Sequence, residues 1–261
     1  MKVSIIGVLL FFVYSLLLQA AQPNDSHSDV SLDISLKALT LAYLPAESVW
    51  YSTLMPGFKA HYIYNLQDNN NHLHKFNGNI EYFESNTFKL NSSELEKGEM
   101  RLFLLDFNLG YLIYIPVIGI IDFITGISIS LQYLNIGQII AVEATRIVEN
   151  YSFYMGPACG FSISATDILD LSSILYLYAG LPVFGTIQYP DNSIDELNFF
   201  SSNVAVKNNL TLNLKHFYVG TGYDFSLTGY VGFNENPEDP IIESFLYLIS
   251  HSLIFKAGFL Y

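Results

Sequence analysis

A chain of 261 residues that is 51% hydrophobic, 15% aromatic and only 13% charged has too little polar material to coat a soluble domain, whose charged share is usually about a quarter. Its formal net charge of −13 and pI near 4.6 exclude a basic nucleic-acid surface and a polybasic dock on anionic lipid. The single cysteine, Cys159, excludes an intramolecular disulfide framework and a clustered-Cys zinc site. Its place in a strand-like run, with no acid or base beside it in sequence, reads as an inert buried thiol.

Residues 1–21 read as a secretory signal. Lys2 supplies the positive start, residues 3–18 an apolar run shorter than a spanning helix needs, and Gln19-Ala20-Ala21 the cleavage end. A short polar lead, residues 22–29, comes next. Then Leu32, Ile34, Leu36 and Ala38 interleave with Ser31, Asp33, Ser35 and Lys37, the period-two signature of a strand with one polar face.

A loop is expected at 45–56, followed by a strand at 57–66 that sets Phe58, Ala60, Tyr62 and Tyr64 against Lys59, His61 and Asn65. Residues 68–72 form a tight polar turn. The strand at 73–83 places Phe76, Ile80 and Tyr82 opposite Lys75, Asn77, Asn79 and Glu81, and a longer polar loop covers 86–99. Residues 100–113 put Phe103, Leu105, Phe107 and Leu109 on one side and Asp106 and Asn108 on the other.

The apolar stretch 111–129 has the length of a spanning helix. Pro116, Gly119, Asp122 and Gly126 interrupt it and its Ile and Val content favours strand, so a turn near 115–121 and a strand at 122–134 are expected. Further strands follow at 138–149, 151–164, 171–180 and 182–189, with both faces apolar in places. Residues 190–203 read as a polar loop. The strand at 204–216 alternates Leu210, Leu212 and Leu214 with Asn209, Thr211, Asn213 and Lys215, and that at 219–233 sets Tyr223, Phe225, Leu227 and Val231 against Asp224, Ser226 and Thr228. A last loop, 234–240, leads to residues 243–261, where Phe245, Tyr247, Ile249, Leu253, Phe255, Ala257, Phe259 and Tyr261 share one face with His251 as its only polar member. That run is tall enough to cross a bilayer, which takes roughly nine to eleven strand residues.

Ending on an aromatic residue in phase with the greasy face, the series Phe255, Phe259 and Tyr261 resembles the closing strand of bacterial outer-membrane β-barrels, where this terminal signature is read by the barrel assembly machinery. The resemblance is to the class and points to no family within it. It implies an all-β, antiparallel up-and-down transmembrane barrel, exported to the outer membrane, with membrane lipid and the assembly machinery as partners. The segments above count to about twelve strands, with ten as the alternative, chiefly because 171–189 could be one strand kinked at Pro182; both numbers are even, as in single-chain bacterial barrels. If the first strand runs outward, the long polar loops at 45–56, 86–99, 190–203 and 234–240 are extracellular, and the shorter connections near Asp68, Asn150 and Phe217 are periplasmic. The tyrosines and phenylalanines suit belts of rings at the two membrane surfaces.

For function the sequence offers mainly the polar face, on which Lys37, Lys59, Lys75, Glu81, Asp106, Lys215, Asp224 and Lys256 point to the lumen. Such charges either pair across a filled interior and hold the barrel together or line a narrow water path and set its preference for small solutes. The first functional reading is a narrow channel or passive transporter for small solutes. The alternative is a closed-lumen structural or binding barrel with acidic outer loops. A lipid-modifying enzyme using His251 and Ser252 comes third, because adjacent strand residues face opposite sides. His72 and His74 could share a metal, with no third ligand evident, and no nucleotide or cofactor fingerprint occurs.

Overall fold

The computed structural model describes residues 26–43, 48–52, 55–68, 70–85, 88–90, 99–140, 143–166, 168–188, 194–196, 198–214, 216–233 and 242–260. The expected signal at 1–21, residues 22–25 of the lead, Lys215 and Tyr261 lie outside them. In chain order the strands are β1 (Ser26–Tyr43), β2 (Ser48–Ser52), β3 (Met55–Gln67), β4 (Leu73–Ser85), β5 (Phe88–Leu90), β6 (Glu99–Ile118), β7 (Ile121–Ile140), β8 (Glu143–Ser164), β9 (Leu169–Gln188), β10 (Ile194–Glu196), β11 (Asn198–Leu214), β12 (Phe217–Phe233) and β13 (Ile242–Leu260). Ten of them form a closed antiparallel ring in the order β13-β12-β11-β9-β8-β7-β6-β4-β3-β1, sealed by the pairing of β1 with β13 from Asp29↔Leu260 to Tyr43↔Leu246. β2, β5 and β10 are short strands that extend the wall at one end.

Ten strands, the alternative count, is the observed number, and the two differences from twelve have physical causes. The segments expected at 138–149 and 151–164 are the end of β7 and a continuous β8 of 22 residues. Asn150, read as a turn, faces inward, is buried, and pairs with Leu134 and Gly185 while its amide donates to Ser152 Oγ at 3.0 Å. The segments at 171–180 and 182–189 are one strand, β9. Pro182 lies where the β8–β9 register slips between Tyr151 and Ser152, and a bulge is where a sheet tolerates a residue with no N–H to give. β1 also begins at Ser26, inside the stretch expected as a lead, because residues 26–29 pair with 63–66 of β3.

Whereas four of the five connections at the opposite end are longer, that between Ile140 and Glu143 being the exception, the connections 68–72, Gly119–Ile120, 165–168 and 215–216 are all short and fall at one end. In barrels of this kind the end with the shorter turns is the one expected to face the periplasm. Gly119, with φ +46°, and Asn71, with φ 62°, supply the left-handed conformations two of these turns require. The apolar run 111–129 is a hairpin, β6–β7, turning at Gly119. No described helix is long and apolar enough to cross a membrane.

Alternation sorts the side chains. On β13, Leu253, Phe255 and Phe259 are exposed while Leu248, Ser250, Ser252 and Ile254 are buried. On the outside, rings meet in two girdles. One joins Tyr82, Phe103, Tyr133 and Tyr151, with centroids 5.4, 5.5 and 4.6 Å apart, and the other joins Tyr64, Phe76 and Tyr111 at 6.1 and 4.8 Å. From Phe103 to Tyr111 along β6 is roughly 26 Å of strand at about 3.3 Å per residue, or ~20 Å along the barrel axis at a tilt of about 40°. An apolar stretch of that height between aromatic rims falls within the band of about 25 Å that such barrels present to lipid. Cys159 faces outward on this belt and is exposed, not buried as the sequence suggested, because its odd-numbered position shares the face of Met155, Phe161 and Ile163.

Candidate functional site

The barrel interior is built from the inward residues of ten strands, and cross-strand pairing sets their order. Following direct partners around the wall gives Lys256 (β13), Asp33 (β1), Lys59 (β3), Glu81 (β4), Asp106 (β6) and Gln132 (β7). This is a belt of mostly alternating charge that no single strand displays. Lys37 lies one tier nearer the long-connection end. Its Nζ is 3.4 Å from Glu81 Oε1 and 3.7 Å from the Phe83 ring centroid. Asp106 accepts a hydrogen bond from Ser130 Oγ. Lys207 (β11) is paired directly with Asp224 (β12).

Below the belt, toward the short turns, a cavity of about 1100 Å³ opens. Its wall includes Lys59, Lys75, Lys207, Asp224, Lys256 and His61, with Asp29, Asp122 and Asp170 at the mouth. The aromatic part of the wall holds the cations: Lys75 Nζ is 4.2 Å from the Tyr114 centroid and Lys207 Nζ 4.9 Å from that of Tyr176. Such contacts are worth about 0.5–2 kcal/mol according to exposure.

The interior is filled at the belt and above it, beginning with a triangle at Asn108 and Ser128, which lie on the short-turn side of Asp106 and Gln132. Tyr178 OH donates to Ser128 Oγ at 3.1 Å, Ser128 Oγ donates to Asn108 Oδ1 at 3.2 Å, and Asn108 Nδ2 returns to Tyr178 OH at 3.2 Å. Gln132 Oε1 accepts from Tyr230 OH at 2.7 Å and from Tyr154 OH at 3.4 Å. Leu39, Phe83, Leu104, Leu134 and Leu248 pack at this level and are almost wholly buried. The space left among these groups is about 70 Å³, room for about two water molecules.

Of the lumen residues expected from sequence, Lys37, Lys59, Lys75, Glu81, Asp106, Asp224 and Lys256 thus line these two spaces, and Lys215 is outside the described residues. Sequence reasoning missed Lys207, because Lys207-Asn208-Asn209 is polar on both faces and hides the alternation. It also missed the tyrosines. Tyr114, Tyr154, Tyr176, Tyr178, Tyr218 and Tyr230 are buried inside the barrel rather than contributing to the surface belts.

The other candidates separate cleanly. His251 is exposed on the outer face with Nδ1 2.7 Å from Tyr223 OH, while Ser252 is buried on the lumen side, so the two side chains do not meet. His72 Nδ1 and His74 Nε2 lie 3.1 and 3.4 Å from Asp68 Oδ2 at the first short turn. Among the described residues no group of three His, Cys, Asp or Glu side chains is arranged to hold a metal ion. Desolvation acts to raise the Asp68 carboxyl. It is outweighed by the backbone N–H of His72, the His74 ring and the backbone N–H of Asn70, which hold it at about 2.

The sequence matches no protein-family model and no curated protein. The fold, however, is shared with solved outer-membrane structures. The outer membrane protease OmpT of Escherichia coli matches with a TM-score of 0.53 at 10% identity, over 92% of this chain and 98% of that one. The translocator domain of the autotransporter NalP of Neisseria meningitidis matches with a TM-score of 0.50 at 11% identity, over 96% of this chain and 94% of that one. With the closed ring and its girdled apolar belt, this defines the chain as an outer-membrane β-barrel of the bacterial class. At these identities the likeness extends to fold alone.

Proposed function

We propose that the chain is a narrow, gated outer-membrane barrel for small solutes, in which solute enters a vestibule from the periplasmic end and passage outward is limited by a side-chain plug. The observation that carries this reading is the contrast between about 1100 Å³ of charged cavity on one side of the belt and about 70 Å³ on the other. Conduction through the outer half requires displacement of the Leu39, Leu248 and Tyr230 tier. The wild-type barrel in a planar bilayer is expected to be silent or to show brief, small steps.

Leu39→Ala with Leu248→Ala removes two of the plug's aliphatic side chains without touching the charge belt. Each truncation costs about 2–5 kcal/mol, so folding is verified by heat-modifiable gel migration. The folded double variant is expected to give steady unitary steps. A folded variant that stays silent, or a wild type that conducts like a wide water-filled pore, overturns the reading.

A further inference from the structure

The vestibule wall carries cations without close counter-charge, Lys59, Lys207 and Lys256 deep in it and Lys75 near the mouth, two residues from the start of β4. Lys59 is buried, Lys75 and Lys207 rest on tyrosine rings, and Lys256 Nζ donates to Asn209 Oδ1. Among the described residues none of the four has a carboxylate oxygen at ion-pair distance. All four line the same cavity as His61, so they share one space. The carboxylates at this level are Asp33, which is cross-strand neighbour to both Lys59 and Lys256, Asp224, which is opposite Lys207, and Asp106, which accepts a hydrogen bond from Ser130 Oγ. Glu81 is engaged by Lys37. At the mouth, Asp29 and Asp170 accept hydrogen bonds from Asn65 at 3.2 Å and Asn213 at 2.6 Å.

Among the described residues the three ammonium groups deep in the vestibule, Lys59, Lys207 and Lys256, therefore have no ion-paired carboxylate, while Asp29, Asp122 and Asp170 stand with Lys75 at the mouth, and a buried charge without a partner is costly. The remaining wall is organic in character, with Ile63, Ile174, Tyr176 and Tyr218 on it, and the volume far exceeds that of a bare inorganic ion. We infer that the vestibule binds a small organic dianion, a phosphate monoester or a dicarboxylate, with its charged oxygens among Lys59, Lys207 and Lys256 and its body against Tyr176 and Tyr218. This rests on the reading of the lumen as a solute compartment and names the class of solute.

The test is calorimetric titration of the full chain, folded in dodecyl maltoside, with phenyl phosphate, with succinate and with phenol. Saturable binding of either dianion, absent for phenol and weakened by added salt, is expected, and which dianion binds distinguishes a phosphate from a carboxylate preference. Lys59→Gln and Lys207→Gln should each weaken it about tenfold or more. If Lys59→Gln does not migrate as folded, Lys207→Met, which keeps an apolar stem on Tyr176, reads the same term. Absence of saturable binding by both dianions, or binding unchanged in the folded variants, overturns the inference. Dianion binding with silent plug variants would remove the channel and keep the site; conduction without dianion binding would do the reverse.

Discussion

A single arginine on the outer face tests where the hydrocarbon lies. Leu253 projects outward from β13, is 44% exposed, and sits between Leu36 and Tyr223 on the neighbouring strands. Phe259, also outward and 57% exposed, lies further along the same strand beside Phe217 at the short-turn end. The separation is roughly 20 Å of strand at about 3.3 Å per residue, or ~15 Å of depth at a tilt of about 40°, which places Leu253 near the middle of a belt about 25 Å tall and Phe259 near its edge. Arginine at mid-depth costs about 2–4 kcal/mol and near the interface about 0–1, so Leu253→Arg should lower the folding equilibrium by a factor of roughly 30 to 900 while Phe259→Arg changes it little. Reversible urea unfolding from lipid vesicles, followed by the fluorescence of Trp50, the sole tryptophan, measures both. Equal costs at the two sites, or a cost below about 0.5 kcal/mol for Leu253→Arg, would refute the placement of the belt.

Gly156→Ala should destabilise by about 1–3 kcal/mol, because its Cβ would overlap the Leu177 carbonyl oxygen, whereas Gly78→Ala meets only Leu109 Cδ2 at 3.3 Å and should be nearly neutral; denaturation midpoints compare them. The Asp68 carboxyl is held below its ordinary value of 3.8, at about 2, so its ionised form stabilises the turn above the ordinary value and that contribution is lost as pH falls through the folded one. Hydrogen exchange at the His72 amide should therefore show the turn loosening over that interval, and Asp68→Asn should abolish the pH dependence. Cys159, exposed on the outer belt, should react with an apolar maleimide in vesicles and resist a charged, membrane-impermeant one; rapid reaction with the charged reagent would place it outside hydrocarbon.

The strands that sequence located best are those with a polar lumen face and an apolar outer face, as in residues 31–38, 73–83 and 253–259, where periodicity alone fixes which side each residue takes. It misjudged β8 and β9 because the lumen there is faced by tyrosine, glycine and serine. Tyr154, Tyr176 and Tyr178 are inward but look apolar in a pattern, and buried Asn150 looks like a turn. The belt Lys256-Asp33-Lys59-Glu81-Asp106 was invisible for a different reason, since its members come from five strands and only the register brings them side by side. The plug is likewise a product of closure: Tyr230 and Gln132, 98 positions apart, meet only when the barrel wraps round.

Sided labelling reaches the central claim directly. In a Cys159→Ser background, Asn77→Cys on the vestibule wall and Ser250→Cys beside the plug are exposed in oriented vesicles to an impermeant maleimide from one side at a time. A lumen open to the periplasmic end and filled beyond the charge belt predicts that Asn77→Cys reacts from the short-turn side alone and that Ser250→Cys resists from that side. Equal reaction of both cysteines from both sides would mean a continuous open pore and contradict the account.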